Sequence, residues 1–302
     1  MKVFITGGAG FIGTHLCKKL LTQNHDITVY DNFSNSFQEN FTSTIKNKVT
    51  IVSGDILDYS KLVPSMKNHD VVIHLAAKIS VSESIKNPRS TFDTNVQGTL
   101  NVLNSCIQND ITKIIATSTA AVYPNTSAKT ILDETSPTIP SSPYGESKLE
   151  MEKKINDFTS TNKISATILR LFNVYGYGQS PEYAGVITQF KEKIQNDSPL
   201  TIYGDGSAVR DFVHVDDVID AIILAITHTS STYNIASGTS TSISDLAKMM
   251  ITLTNKEIQI LYNPSRPGDI LYSTADISFA KTNLGFTPKI SLKSGLEKFL
   301  SE

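Results

Sequence analysis

The segment KVFITGGAGFIG at positions 2–13 restricts the fold more than any other part of this chain. A β-branched apolar run leads directly into a glycine turn, and the turn opens a stretch, Phe11–Leu21, that places Ile12, Leu16 and Leu20 on one helical face. A strand that turns straight into a helix is followed by a second strand parallel to the first, joined by a right-handed crossover. Gly7, Gly10 and Gly13 fit a G-x-x-G-x-x-G spacing, and Gly8, Gly10 and Gly13 also satisfy G-x-G-x-x-G. Glycine lets the backbone approach a pyrophosphate closely, while the N–H groups and dipole of the following helix receive its charge. The turn is therefore a dinucleotide site in waiting.

The rest of the first half repeats the alternation. Lys2–Thr6, Ile27–Tyr30, Thr50–Val52, Asp70–Leu75, Thr112–Thr117 and Ser165–Leu171 read as buried parallel strands, each bounded by polar or glycine turns. Between them lie helices, among them Thr91–Ile107, with Val96, Leu100 and Leu103 on one face, and Tyr144–Phe158, with Leu149, Glu152 and Ile155 at helical spacing. The expected fold is α/β, a doubly wound parallel sheet of the Rossmann type with a second, smaller lobe for substrate. After Asn173 the chain becomes rich in Gly, Pro and Ser, with shorter helices near Val186–Gln195, Asp216–Ala225, Ser244–Leu253 and Leu292–Leu300. Because the apolar helix Val218–Ile226 and Tyr233–Ile235 look like a return to the main sheet, the lobes interleave: residues 1–172 and 213–236 form the dinucleotide-binding domain, and 173–212 and 237–302 the substrate lobe.

Asp31 ends the second predicted strand, 18 residues beyond Gly13, where a carboxylate accepts hydrogen bonds from ribose hydroxyls and repels a 2′-phosphate. No arginine follows it, so the expected cofactor is NAD rather than NADP. A net charge of −2 gives no field that would draw the chain to nucleic acid or an anionic membrane. The first strand starts at Lys2 with no charged leader, and no run of ~18 apolar residues occurs, which makes a cytoplasmic protein the expectation. Cys17 and Cys106 are the only cysteines, each inside a helix-like stretch, so neither a disulfide framework nor a C-x-x-C metal or redox pair can be built, and both read as small buried apolar side chains. Only four arginines are present, Arg89, Arg170, Arg210 and Arg266, so arginine has been used where its fork geometry matters.

A further series of motifs covers nearly the whole chain in order: TGGAGFIG at 6–13, DNFSNS at 31–36, GDI at 54–56, HLAA at 74–77, TNVQGT at 94–99, TSTAAVYP at 117–124 and YGESK at 144–148. Together they resemble the extended short-chain dehydrogenase/reductase family. Through RLFNVYG at 170–176, YGDGSAVRDFVHVDD at 203–217 and SRPGD at 265–269 the chain is similar to that family's nucleotide-sugar branch. The resemblance implies that Phe11, Ile12, Asn32, Asn35 and Ser36 join the glycines and Asp31 around NAD. It sets Asp55 and Ile56 beside the adenine, Leu75, Ala76 and Ala77 beside the nicotinamide ribose, and Thr94 and Phe172 along the same ligand. On the substrate side it implies Asn173, Val186 and Arg210, with Arg266 on the phosphates, Asp269 on the uridine ribose and Tyr203 stacked on the pyrimidine. Seven residues beyond Arg266, Ser273 would leave room for an N-acetyl group at the sugar C2.

The Tyr144/Lys148 pair also has a rationale of its own. Residues four apart share a helix face, so the ammonium lies near the phenol and, with a positively charged nicotinamide, favours the phenolate. Moving a phenol from ~10 to ~7 takes roughly 4 kcal/mol of differential stabilisation. Thr119 matches the family's catalytic hydroxyl. Related dehydratases and decarboxylases carry an acid just after that position, whereas Ala120 and Ala121 stand here. The chemistry implied by the resemblance thus stops at C4: Tyr144 takes the proton of the sugar 4-hydroxyl, the hydride passes to NAD, and the 4-keto sugar is reduced from its other face. The expected activity is interconversion of UDP-glucose and UDP-galactose, extending to the N-acetylhexosamine pair. A UDP-glucuronate 4-epimerase or a reductase of the same branch is the alternative reading, and a non-catalytic dinucleotide sensor, which ordinarily lacks the Tyr-Lys pair, is the reading from another class. Helices 91–107 and 144–158 are those that usually form a homodimer contact in this family.

Overall fold

The computed structural model describes residues 1–36, 41, 45, 47–125, 130–179, 185–228, 230–265 and 270–301. The apolar runs form a seven-stranded parallel sheet from β1 (Lys2–Thr6), β2 (Asp26–Asp31), β3 (Thr50–Ser53), β4 (Val71–His74), β5 (Lys113–Thr119), β6 (Ser165–Leu171) and β7 (Thr232–Ile235), in the spatial order β7-β6-β5-β4-β1-β2-β3. The order reverses between β1 and β4, so the carboxyl ends of these two strands diverge and leave a crevice above the sheet. Side chains alternate across it. Val3 and Ile5 pack on one face with Leu16, Cys17 and Leu20 of α1 (Phe11–Thr22), while Phe4 and Val72 pack on the other with Leu103, Cys106, Met151 and Ile155. Both cysteines are buried, and burial pushes each thiol up to about 12.

The helix predicted as Thr91–Ile107 is broken in three. Pro88–Phe92 is α-helical, Asp93–Gln97 forms a single wide turn of the π type, and Gly98–Gln108 resumes as α2. The wide turn releases Asn95, whose side chain accepts from Lys78 N (2.8 Å) and donates to Lys78 O and Ser147 Oγ, both 2.9 Å. At Gly98, next in the chain, a Cβ would lie 2.4 Å from Ile56 Cδ1, so any larger residue would require the Ile56 side chain to shift. The helix predicted from Tyr144 starts one residue earlier: α3 (Pro143–Thr161) is capped by Ser142, whose hydroxyl accepts from Gly145 N, and Pro143 occupies the first turn, where no N–H is needed.

Beyond Leu171 the chain leaves the main sheet. Strand Val209–His214 pairs with Asn173–Tyr175, Ser240–Ser242 and Tyr272–Ala275, and the last of these also takes Ile131–Leu132 as a neighbour. Leu200–Tyr203 and Ile260–Asn263 form a separate parallel pair. Phe190, Leu246, Met250, Leu296 and Phe299 hold this part together as a core of its own. The chain returns to the main sheet through α4 (Val215–Thr227) and β7, which pairs with β6 at the sheet edge.

Candidate active site

The crevice at the strand-order reversal opens into a cleft of about 1130 Å³ that runs from the glycine turn to the junction with the smaller sheet. That exceeds the ~300–1,000 Å³ usual for one small ligand and suits two placed end to end. Gly7, at φ +68°, turns β1 away so closely against the end of β4 that a Cβ would lie 2.6 Å from Ala76 N. Gly13, the first-turn glycine of α1, would carry its Cβ 2.5 Å from Gly8 Cα, so both positions accept only glycine. Gly10 is the N-cap of α1, and among the described residues no side chain caps the helix N-terminus.

At one end of the cleft Asp31 is 8 % exposed and already organises the turn. Its carboxylate accepts from Ala9 N (3.0 Å), Phe33 N (2.9 Å) and Ser36 Oγ (3.0 Å), tying the glycine turn to the loop after β2. Asn32 donates to the Asp55 carboxylate at 2.9 Å, which fixes the neighbouring rim. Ile56, Leu75, Ala76, Ala77, Thr94, Asn35 and Phe172 also line the cleft.

At the other end Thr119, Tyr144 and Lys148 come together from β5 and α3. The Thr119 hydroxyl faces the Tyr144 phenol; burial pushes that phenol above its ordinary pKa and Thr119 offsets part of the effect. Thr119 Oγ1 also accepts from Ala121 N at 3.2 Å, so it caps the short turn that ends β5 as well as facing the cleft. The Lys148 ammonium is buried and donates to Thr117 O at 2.6 Å. Burial pulls its pKa down to about 8, with Glu152 pulling the other way. Behind it, burial and then the Lys148 charge pull His74 down to about 3, so its ring stays neutral between the Thr6 and Thr99 hydroxyls.

Toward the smaller sheet, Asn173, Val186 and Arg210 line the cleft, with Asn173 Nδ2 donating to Asp211 O at 3.1 Å and Arg210 Nη1 to Val209 O at 2.9 Å. Two of the expected substrate residues are not in the cleft wall. Tyr203 ends its strand 38 % exposed, and Ser273 is buried at a strand position in register with Arg210. Arg266 and Asp269 lie outside the described residues. The cleft also contains residues that motif reasoning passed over: Lys78, directly after HLAA, and Ser118, whose Oγ is buried without a partner among the described atoms. That orphaned hydroxyl, the uncapped helix start and the glycine cradle fit a dinucleotide lying along the cleft.

The sequence model of the NAD dependent epimerase/dehydratase family matches residues 3–236. Among solved structures the chain is similar to the UDP-glucose 4-epimerase of Thermotoga maritima with UDP-glucose, at 34% identity, a TM-score of 0.95 and coverage of 100% of this chain and 98% of that one. It is also similar to the UDP-N-acetylglucosamine 4-epimerase of Methanobrevibacter ruminantium in complex with UDP-N-acetylmuramic acid, at 33% identity, TM-score 0.93 and coverage of 99% and 97%. The UDP-glucuronic acid 4-epimerase of Bacillus cereus, in complex with UDP-glucuronic acid and NAD, gives 32% identity, TM-score 0.92 and coverage of 100% and 98%. A strand-order reversal carrying the glycine cradle, Asp31 and the Thr119, Tyr144 and Lys148 set, matched over this length, makes the chain an enzyme of the NAD dependent epimerase/dehydratase family.

Proposed function

We propose that the chain is a UDP-hexose 4-epimerase that interconverts UDP-glucose and UDP-galactose and accepts the corresponding N-acetylhexosamines. One observation carries the reading. Among the described residues that line the cleft, the acids are Asp31 and Asp55, both at the β2 and β3 end, and none stands beside Thr119 and Tyr144. Proton chemistry at carbons other than C4 lacks a carboxylate there.

When bound, NAD supplies a reversible hydride acceptor for C4. Gly7, Gly10, Gly13 and Asp31 are the residues to hold it. Tyr144 accepts the proton of the 4-hydroxyl and returns it, Thr119 hydrogen-bonds the same oxygen, and Lys148 supplies the positive charge that favours the phenolate. Arg210 and Asn173 hold the substrate at the far end, joined by Arg266 and Asp269. The N-acetyl reading draws on Ser273, which is buried outside the cleft wall but stands in register with the cleft-lining Arg210. It shares the Arg210 face of its strand pair, whereas Tyr272 falls on the opposite face with its hydroxyl 3.3 Å from Ser240 Oγ.

Incubation of the purified protein with UDP-galactose, without added NAD, should yield UDP-glucose by chromatography, because a cofactor regenerated each cycle stays bound. No conversion with added NAD present sinks the proposal, and conversion of UDP-glucuronate alone replaces it. Wild type should also turn over UDP-N-acetylglucosamine, and Ser273→Tyr should remove that activity selectively; no N-acetyl turnover by wild type refutes the wider specificity.

A further inference from the structure

Lys148 sits in surroundings that work against its charge. It is 4 % exposed, and among the described residues its hydrogen-bond partners are one carbonyl, Thr117 O at 2.6 Å, and the Met151 sulfur at 3.3 Å. A buried ammonium with so little compensation tends to lose its proton. One turn further along α3, on the same face as Tyr144 and Lys148, is Glu152, itself 3 % exposed. Its carboxylate is clamped by Arg170 of β6, with Nε at 3.0 Å from Oε1 and 3.2 Å from Oε2, and Nη2 at 2.7 Å from Oε2. Arg170 is fixed in turn: Nη1 donates to Tyr123 Oη at 2.9 Å, and Tyr123 donates to Asn234 Oδ1 at 2.7 Å.

A buried ion pair of this kind seldom adds stability over an apolar pair of the same volume, so its presence directly behind a catalytic lysine asks for another reason. We propose that Glu152 and Arg170 are positioning residues: Arg170 clamps the Glu152 carboxylate in place one helical turn from Lys148, where its negative charge supports the ammonium that favours the Tyr144 phenolate. The inference rests on the role given to Lys148 above, and it extends the catalytic stripe from two residues to three. Other titratable groups near Lys148 do not replace Glu152. His74 on β4 is neutral, Tyr144 is the group being served, Tyr123 accepts from Arg170 Nη1, and Glu134 meets that nitrogen only through its main-chain carbonyl while its carboxylate accepts from Asn234 N. Glu152 is the group that opposes the desolvation of Lys148.

The test reads Lys148 itself. In protein labelled with ¹³C at lysine Cε, the Lys148 resonance, assigned by its loss in Lys148→Met, should titrate near pH 8 in the wild type. Glu152→Gln should move that midpoint down by about 1–3 pH units, the range for loss of one nearby opposite charge. Because that variant leaves Arg170 buried and unpaired, the double variant Glu152→Gln with Arg170→Gln serves as the better-folding companion. Its midpoint should fall between wild type and the single variant, since Glu152 is the nearer charge. A midpoint unchanged in either variant overturns the inference. The alkaline limb of the turnover profile should move to lower pH in step with the NMR midpoint, and a limb that stays in place while the midpoint moves overturns the link to Tyr144. The NMR arm needs no substrate, so an error in the proposed sugar specificity would leave it untouched.

Discussion

Replacing Asp31 separates two jobs that the sequence merges. A carboxylate at the end of β2 is expected to exclude a 2′-phosphate by charge; at 4 Å and an effective dielectric constant of 20 that repulsion is about 4 kcal/mol, and a third of it is already tenfold in affinity. The same carboxylate holds Ala9 N, Phe33 N and Ser36 Oγ within 3.0 Å. Hydrogen bonds to a charged group contribute roughly 1.5–3 kcal/mol each; Phe33 is half-buried, so its N–H can find water once the carboxylate is gone, whereas Ser36 and Ala9 are buried. Asp31→Ala should therefore destabilise the fold by about 2–4 kcal/mol and lower Tm by roughly 4–8 °C at ~2 °C per kcal/mol for a chain of this size. It should also weaken NAD and NADP together, because the glycine turn loses its tether. Asp31→Asn keeps one acceptor oxygen and removes the charge, so it should cost about half as much stability while raising NADP affinity relative to NAD at least tenfold. Thermal unfolding with and without cofactor, and titration of both dinucleotides into both variants, measure all of this. A Tm within a degree of wild type for the alanine variant refutes the tether, and unchanged discrimination in the asparagine variant refutes the charge.

The remaining predictions concern the reactive end. Tyr144→Phe should reduce turnover by about 10²–10⁴-fold, the contribution of a positioned acid–base group, with NAD affinity intact; retention of more than a tenth of the rate removes Tyr144 as the base. Lys148→Ala should lose rate and also NAD affinity, and an unchanged dissociation constant by titration would confine Lys148 to the phenol. His74 gives a stability signature. Its folded pKa of about 3 lies below the unfolded ~6.5, so the unfolded chain binds the extra proton and stability falls as pH drops from about 6.5 toward 3. Between pH 7 and pH 5 the wild type should lose about 2 kcal/mol more than His74→Gln in urea unfolding, and equal losses would contradict a neutral buried ring.

Strand ends and glycine turns were the parts of this molecule that a linear reading could recover, because both are short-range. β1, β6 and the helix Val186–Gln195 have the predicted bounds, and the glycine turn, Asp31, Thr119, Tyr144 and Lys148 all reach one cleft because each lies at or beside the carboxyl end of a parallel strand. What failed to read was pairing across distance. The wide turn at Asp93–Gln97 answers to Lys78 and Ser147, neither of which shows in the local periodicity of 91–107. Ile131–Leu132 joins the smaller sheet as partner of Tyr272–Ala275, far along the chain. Ser273 was placed at the sugar by counting from Arg266, and the register that governs its direction is set instead by Arg210 across the strand pair. Glu152 is the instructive case, because half of its signal was available. Positions 144, 148 and 152 fall on one helical face by spacing alone, but spacing by itself makes Glu152 no more than part of the helix pattern. Arg170 stands out in sequence only as one of four arginines, within RLFNVYG. The two acquire meaning only when β6 is laid beside β5 in register, Ser118 opposite Arg170, which carries the guanidinium to the face where α3 packs. A charged residue at helical spacing from a catalytic pair is therefore worth testing for a buried partner on the strand that follows, since the strand order decides whether one is there.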